Sequence, residues 1–142
     1  MDISQNILPL LFNKTKHSLH QMAKRNKENT DTLHSCIIEA ILDKKGKDII
    51  SLEVGKLPNA ICQHFIICHA DSTTQVAAIA QNIEEKTQLD LQQKVWQKGG
   101  YENRIWVVLD YVDVVVHIFQ TEWRQFYKLE DLWADAKRTA YE

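Results

Sequence analysis

Helical and strand patterns alternate around five predicted strands, which places this chain in the α/β class: one mixed sheet flanked by helices. Three observations carry that prediction. The stretch RIWVVLDYVDVVVHIF (104–119) holds two β-prone runs joined by a short Asp-Tyr-Val-Asp connection. Two other segments place apolar residues at helical spacing. The 142 residues are 44% hydrophobic, which suits one domain able to bury about two-thirds of its unfolded surface.

Residues 1–30 read as a basic N-terminal extension, and the compact domain as 31–142. Lys14, Lys16, Lys24, Arg25 and Lys27 face only Asp2 and Glu28, a net charge of +3 in a chain whose total is −2. Pro9 interrupts the one apolar helical pattern there, and a polar basic run follows. A solvated tail is the plain reading, with a minor contact to RNA as the alternative, since phosphate contact needs only placed charge. Thr30 and Asp31 have side chains able to cap a helix. Leu33, Ile37, Ile38, Ile41 and Leu42 then share one helical face. Lys44, Lys45 and Gly46 suit its end, with Gly46 expected to supply left-handed geometry.

Residues 48–54 and 63–68 read as strands around a loop with Pro58. The run Asp71-Ser72-Thr73-Thr74 offers caps for a helix whose Val76, Ile79, Ala80 and Ile83 form a single stripe. A short strand is predicted near 93–97, then the turn Gly99-Gly100, then long strands at about 104–110 and 113–119. A last helix is predicted from about Lys128, with Leu129, Leu132, Trp133 and Ala136 on its inner face.

Composition excludes some classes of function. No stretch approaches the roughly 20 apolar residues of a membrane helix. The start, MDISQNILPLLFNK, lacks the basic region and cleavage site of a secretory signal. Three cysteines without framework spacing point to a reducing, cytoplasmic setting. Cys62, His64, Cys68 and His69 cluster in sequence, but strand parity divides them, so buried thiols are expected rather than zinc. Asp110 and Asp113 stand three apart across a turn, whereas metal-binding pairs of nucleotidyltransferases stand two apart on a strand. No cofactor, metal or catalytic residue is therefore expected.

Four segments resemble the ribosomal silencing factors, the RsfS or Iojap family, in the order expected of that family. They are KKGKDIISLEV (44–54), HFIICHADSTTQVAAIAQNI (64–83), 104–119 and RQFYKLEDLWADA (124–136). The resemblance implies a nucleotidyltransferase-like fold without catalysis. It implies binding to the fourteenth universal protein of the large ribosomal subunit, where the small subunit docks. Blocked subunit joining would follow, with translation repressed when nutrients are short and a further role in late subunit maturation. Two departures stand out. Relatives commonly carry glycine where Val112 stands, so the turn here should use another geometry or a longer loop. His69-Ala70 replaces a Thr-Gly pair, which weakens any glycine-based phosphate cradle at that point.

On the first long strand Arg104, Trp106, Val108 and Asp110 share one face, while Ile105, Val107, Leu109 and Tyr111 share the other, the natural core face. An aromatic among charges reads as a partly exposed recognition surface, and Trp, Tyr and Arg are enriched at binding hot spots. The expected partner-binding set is Trp106, Val108, Asp110, Tyr111, Asp113 and Arg124. The family pattern puts the tryptophan in the ribosomal contact, and Tyr111 would join it from the turn. Asp110 and Asp113 read equally as an acidic rim for a basic partner or as turn caps. His117 reads as structural and Trp133 as core. Whether the chain acts as a monomer or a homodimer is open at this level, as are the places of Trp96 and Trp123. A nucleotide-binding enzyme and an RNA-binding module remain the alternatives.

Overall fold

A computed structural model of the chain describes residues 27–142. The extension expected over 1–30 lies outside the described residues except for 27–30, which already belong to a helix. The elements run α1 (Lys27–Asp43), β1 (Lys47–Glu53), β2 (His64–Ala70), α2 (Thr73–Leu91), β3 (Gln97–Gly99), β4 (Trp106–Asp110), β5 (Val114–Gln120), α3 (Thr121–Tyr127), α4 (Leu129–Leu132) and β6 (Lys137–Tyr141). One sheet holds all six strands in the order β3-β4-β5-β2-β1-β6. Only β2 and β5 are parallel; every other pair is antiparallel.

Strand parity divides the apolar residues between two cores. On one face Ile49, Ile66, Cys68, Val107, Leu109, Val114, Val116 and Ile118 meet the stripes of α1 and α2. Those stripes are the predicted ones, including Leu33, Ile37, Ile41, Val76, Ile79 and Ile83, except that Leu42, expected on the same face, is 38% exposed. Ser72 caps α2 as expected, its side chain accepting from Gln75 N at 3.1 Å. On the other face Ile50, Leu52, Phe65, Ile67, Trp106, Val108, Val115 and Phe119 form a second core. Residues 121–136 return over it, contributing Leu129 with Trp123, Tyr127, Trp133 and Ala136. A sheet carrying apolar side chains on both faces needs such a second cover.

Several expectations about elements change: Thr30 and Asp31 lie inside α1 rather than capping it, and the strand expected near 93–97 is Gln97–Gly99. Among the described residues the sheet has six strands, not five, because β6 adds an edge beside β1. Its sequence, KRTAY, is almost wholly exposed and has no alternating pattern to betray a strand. Charged residues of this kind guard an edge against further pairing. The helix predicted from about Lys128 is a single turn, 129–132: Lys128 at φ 47 separates it from α3, and Trp133 at φ −122 and ψ 39 leaves the helical conformation. At the end of α1, Lys45 rather than Gly46 takes the left-handed conformation, at φ 59. Gly46 is needed for space: a Cβ there would lie 2.3 Å from Ile41 Cγ2.

The β4–β5 turn also departs from expectation. Val112 does not force another geometry; it takes the glycine-like backbone itself, at φ 76. Asp113 N donates to the Tyr111 carbonyl at 3.0 Å across it, the three-residue pattern of a γ-turn. Asp110 Oδ1 accepts from Val112 N at 2.8 Å, and Tyr111 N donates to the Val114 carbonyl at 2.8 Å. The Val112 side chain is buried, so packing offsets a backbone cost of about 1–3 kcal/mol. Replacing it should invert the usual ranking of alanine over glycine. Val112→Gly and Val112→Ala lose similar burial, but only glycine relieves the strain. Urea denaturation is expected to find Val112→Gly the more stable of the two; a more stable Val112→Ala would show that the turn is unstrained.

Candidate docking surface

All six predicted contact residues lie on or beside the β4–β5 hairpin or on α3, and the structure buries every one. Exposure is 3% for Trp106, 0% for Val108 and Asp110, 1% for Tyr111 and Asp113, and 8% for Arg124. The predicted face assignment of β4 is correct for Trp106 and Val108, which point away from the helix layer. The expected exposure is not found, because residues 121–136 cover that face. Trp106 stacks on Phe119, with ring centres 4.9 Å apart, and meets Tyr127 at 4.8 Å. Its indole Nε1 donates to His117 Nδ1 at 3.1 Å. That bond fixes His117 as the tautomer with its proton on Nε2 and gives the histidine the structural role expected of it.

The remaining four have internal duties. Tyr111 points into the helix layer, where its hydroxyl lies 2.8 Å from Thr87 Oγ1. Burial there pushes the phenol up to about 12. Asp110 caps the turn through Val112 N, and Thr30 Oγ1 donates to Asp113 Oδ2 at 3.4 Å. For Asp110 the geometry favours the turn cap over a rim; Asp113 is buried with its carboxylate toward Thr30 on α1. Arg124 Nε donates to Glu130 Oε1 at 2.8 Å, and Nη1 to the Asp48 carbonyl at 2.7 Å. The same Nη1 lies 2.9 Å from His69 Nδ1.

What the cover does present is a run of aromatic rings from core to surface. Trp106 touches Tyr127, whose ring meets Phe126 at 5.2 Å and Trp123 at 5.9 Å. Phe126 is 70% exposed and Leu132, on α4, is 75% exposed. Glu122, Asp131 and Asp135 stand exposed in the same segment, against Lys128. Sequence reasoning missed both apolar residues. Leu132 belongs to the predicted inner stripe of a helix that proves to be one turn long. Phe126 lies between Trp123 and Tyr127, which take the inward positions, and that spacing was the available signal.

Two polar hollows flank the sheet. A cavity of about 240 Å³ is lined by His34, His64, Ser51 and Tyr141, among others. His34 Nε2 lies 2.7 Å from Ser51 Oγ, and the two histidine rings meet edge-on at 5.0 Å. Burial, then the neighbouring His64, lowers His34 to about 4. A larger open cleft, about 900 Å³, lies against Arg124, His69 and Asp48. The cysteines of the zinc-like cluster are separated: Cys68 lies in the helix-side core and Cys62 in the other. Burial pushes the Cys68 thiol up to about 12, where it is an inert core group. Among the described residues, no group of three or more His, Cys, Asp or Glu is placed to hold a metal ion. Nor is any described helix long and apolar enough to cross a membrane.

The family model described as "Ribosomal silencing factor during starvation" matches residues 27–142. The chain is 37% identical over 99 residues to a ribosomal silencing factor of Halalkalibacterium halodurans, covering 70% of this chain and 83% of that one. It is 38% identical over 94 residues to the Bacillus subtilis ribosomal silencing factor, covering 66% and 78%. A crystal structure of a Chromobacterium violaceum protein superposes with a TM-score of 0.69 at 36% identity, covering 73% of this chain and 85% of that one.

Two outcomes follow from the geometry. Trp106→Ala should lower the unfolding free energy by about 3–5 kcal/mol, measured by denaturant titration. An unchanged midpoint would mean the indole is not packed as described. A histidine held below its ordinary value favours the neutral form, so its contribution is full above the unfolded pKa of about 6.5. That contribution is lost as pH falls from there toward about 4. His34→Gln, which keeps a hydrogen-bonding group beside Ser51, should flatten the stability loss in that window; an unaltered acid limb would count against the buried neutral histidine.

Proposed function

This chain belongs to the ribosomal silencing factor family, and from that membership we propose that it binds the large ribosomal subunit and sterically blocks association with the small subunit. The partner in this reading is the fourteenth universal protein, at the subunit interface, with translation repressed under nutrient limitation and late subunit maturation as a second duty. The chain acts by occupancy, not turnover, in the cytoplasm. Binding the free subunit alone displaces the joining equilibrium by mass action.

The observation that carries the contact is the exposed pair Phe126 and Leu132 on the aromatic cover. Trp106 and Val108 enter the site as its floor, in the core beneath the cover, while Tyr111, Asp110 and Asp113 act at one remove by fixing the β4–β5 turn against the helix layer. An aromatic anchor supported from behind by packed rings loses little freedom on docking, which favours affinity. The exposed acids around it suit a basic ribosomal protein, aiding encounter and register more than affinity. A contact of about 800 Å² per partner would serve.

Co-sedimentation with purified large subunits tests this reading. Phe126→Asp and Leu132→Asp should keep the wild-type circular dichroism and weaken binding by about tenfold or more, the effect expected of a hot-spot residue. The wild-type chain should also block formation of full ribosomes from mixed subunits. Full ribosomes at saturating wild-type protein would end the proposal, and undiminished binding by both variants would move the contact elsewhere.

A further inference from the structure

Arg124 was expected at the partner contact, yet its side chain is only 9% exposed and is turned toward the chain itself. It joins three elements besides its own. Nε donates to Glu130 on α4, and Nη1 reaches both the Asp48 carbonyl on β1 and His69 Nδ1 on β2. We propose that Arg124 is the positioning residue of the docking surface: it fixes α3 and α4 against the sheet, so that Phe126 and Leu132 are presented in one arrangement. This assignment rests on the docking reading above.

The two helices have seven and four residues, far below the roughly 12–15 at which an isolated helix holds itself in water. Their order must come from contacts outside themselves. Apolar contacts through Leu129, Trp123 and Tyr127 supply one set. Such packing is non-directional and tolerates sliding, whereas a planar fork binding fixed acceptors does not. Arg124 and Phe126 stand two residues apart on α3, about 200° around the helix axis. The pin and the presented ring thus occupy opposite sides of one short element.

The sheet is shaped to receive the guanidinium. The β1–β2 register is irregular between Lys47 and Ile50, and Asp48 sits there at φ 45. A bulge of this kind frees a carbonyl from the ladder, and the Asp48 carbonyl is the one that Arg124 takes. On the far side Lys128 adopts φ 47 and turns the chain from α3 into α4, bringing Glu130 back to Nε. Left-handed backbone at two non-glycine residues, one on each side of the guanidinium, persists only where the surroundings over-determine it. His69 completes the set by accepting at Nδ1. It can do so only while neutral, and burial followed by the Arg124 charge holds it below the usual histidine range.

Hydrogen exchange and subunit binding, measured on the full chain well below its unfolding temperature, test the assignment. Arg124→Lys keeps the charge but not the fork. It should lower amide protection across 121–132 by about tenfold or more and weaken large-subunit binding to a similar degree. Protection in α1 and α2 should be unchanged. Glu130→Gln, whose amide oxygen still accepts from Nε, should retain both properties, while Glu130→Ala should lose them. A generally structural role would instead lower protection everywhere. Unchanged protection in Arg124→Lys, or full affinity despite lost protection, overturns the proposal. A wild-type chain without affinity for large subunits would sink the docking reading alone, since the exchange pattern still decides whether Arg124 sets the segment.

Discussion

A sheet that is apolar on both faces governs this molecule. Helices α1 and α2 cover one face with two long amphipathic stripes. Among the described residues the other face has no comparable helix, and it is closed by the two short helices and aromatic rings of residues 121–136. At about 25 cal/mol per Å² of apolar surface, leaving Trp106, Phe65 and Phe119 open to water would cost several kcal/mol. The C-terminal segment is therefore part of the fold, and the surface it presents is set by the face it covers.

This explains what was legible in the sequence and what was not. The helices α1 and α2 were clear because each repeats its apolar positions over several turns. The strands β4 and β5 were clear because β-branched and aromatic residues dominate them. Even the division of β4 into two faces was correct, since side-chain alternation is a property of the strand alone. Whether the second face meets water is not a local property. It depends on where residues 121–136 go, and their path turns on Lys128, a residue with no sequence signal for left-handed backbone. Strand β6 was hidden for a related reason: an edge strand that needs no buried side carries no pattern.

The hairpin turn illustrates local chemistry overruled by its surroundings. Steric preference argues against a β-branched residue at positive φ, and reasoning from Val112 alone gave the wrong geometry. Asp110, a side-chain acceptor aimed at Val112 N, and the strand pairing on either side together hold the turn in a backbone conformation that favours glycine. Asp110 is then held by the turn it stabilises and Asp113 by Thr30 of α1, which removes both from the surface on which they had been expected.

The proposed docking site, assembled from covering elements, differs physically from one displayed on bare strands. On strands, contact side chains are fixed by the ladder, and removing one leaves the scaffold intact. Here Phe126 stands on Tyr127, which stands on Trp106, which is tied to His117 in the sheet. A change at the bottom of that stack alters stability and presentation together, so loss of binding by a buried variant does not identify a contact residue. Only the outermost groups, Phe126 and Leu132, can be altered without disturbing what lies beneath them. Buried and presented residues thus form one mechanical unit, with the hydrophobic effect supplying its adhesion and directed hydrogen bonds its register.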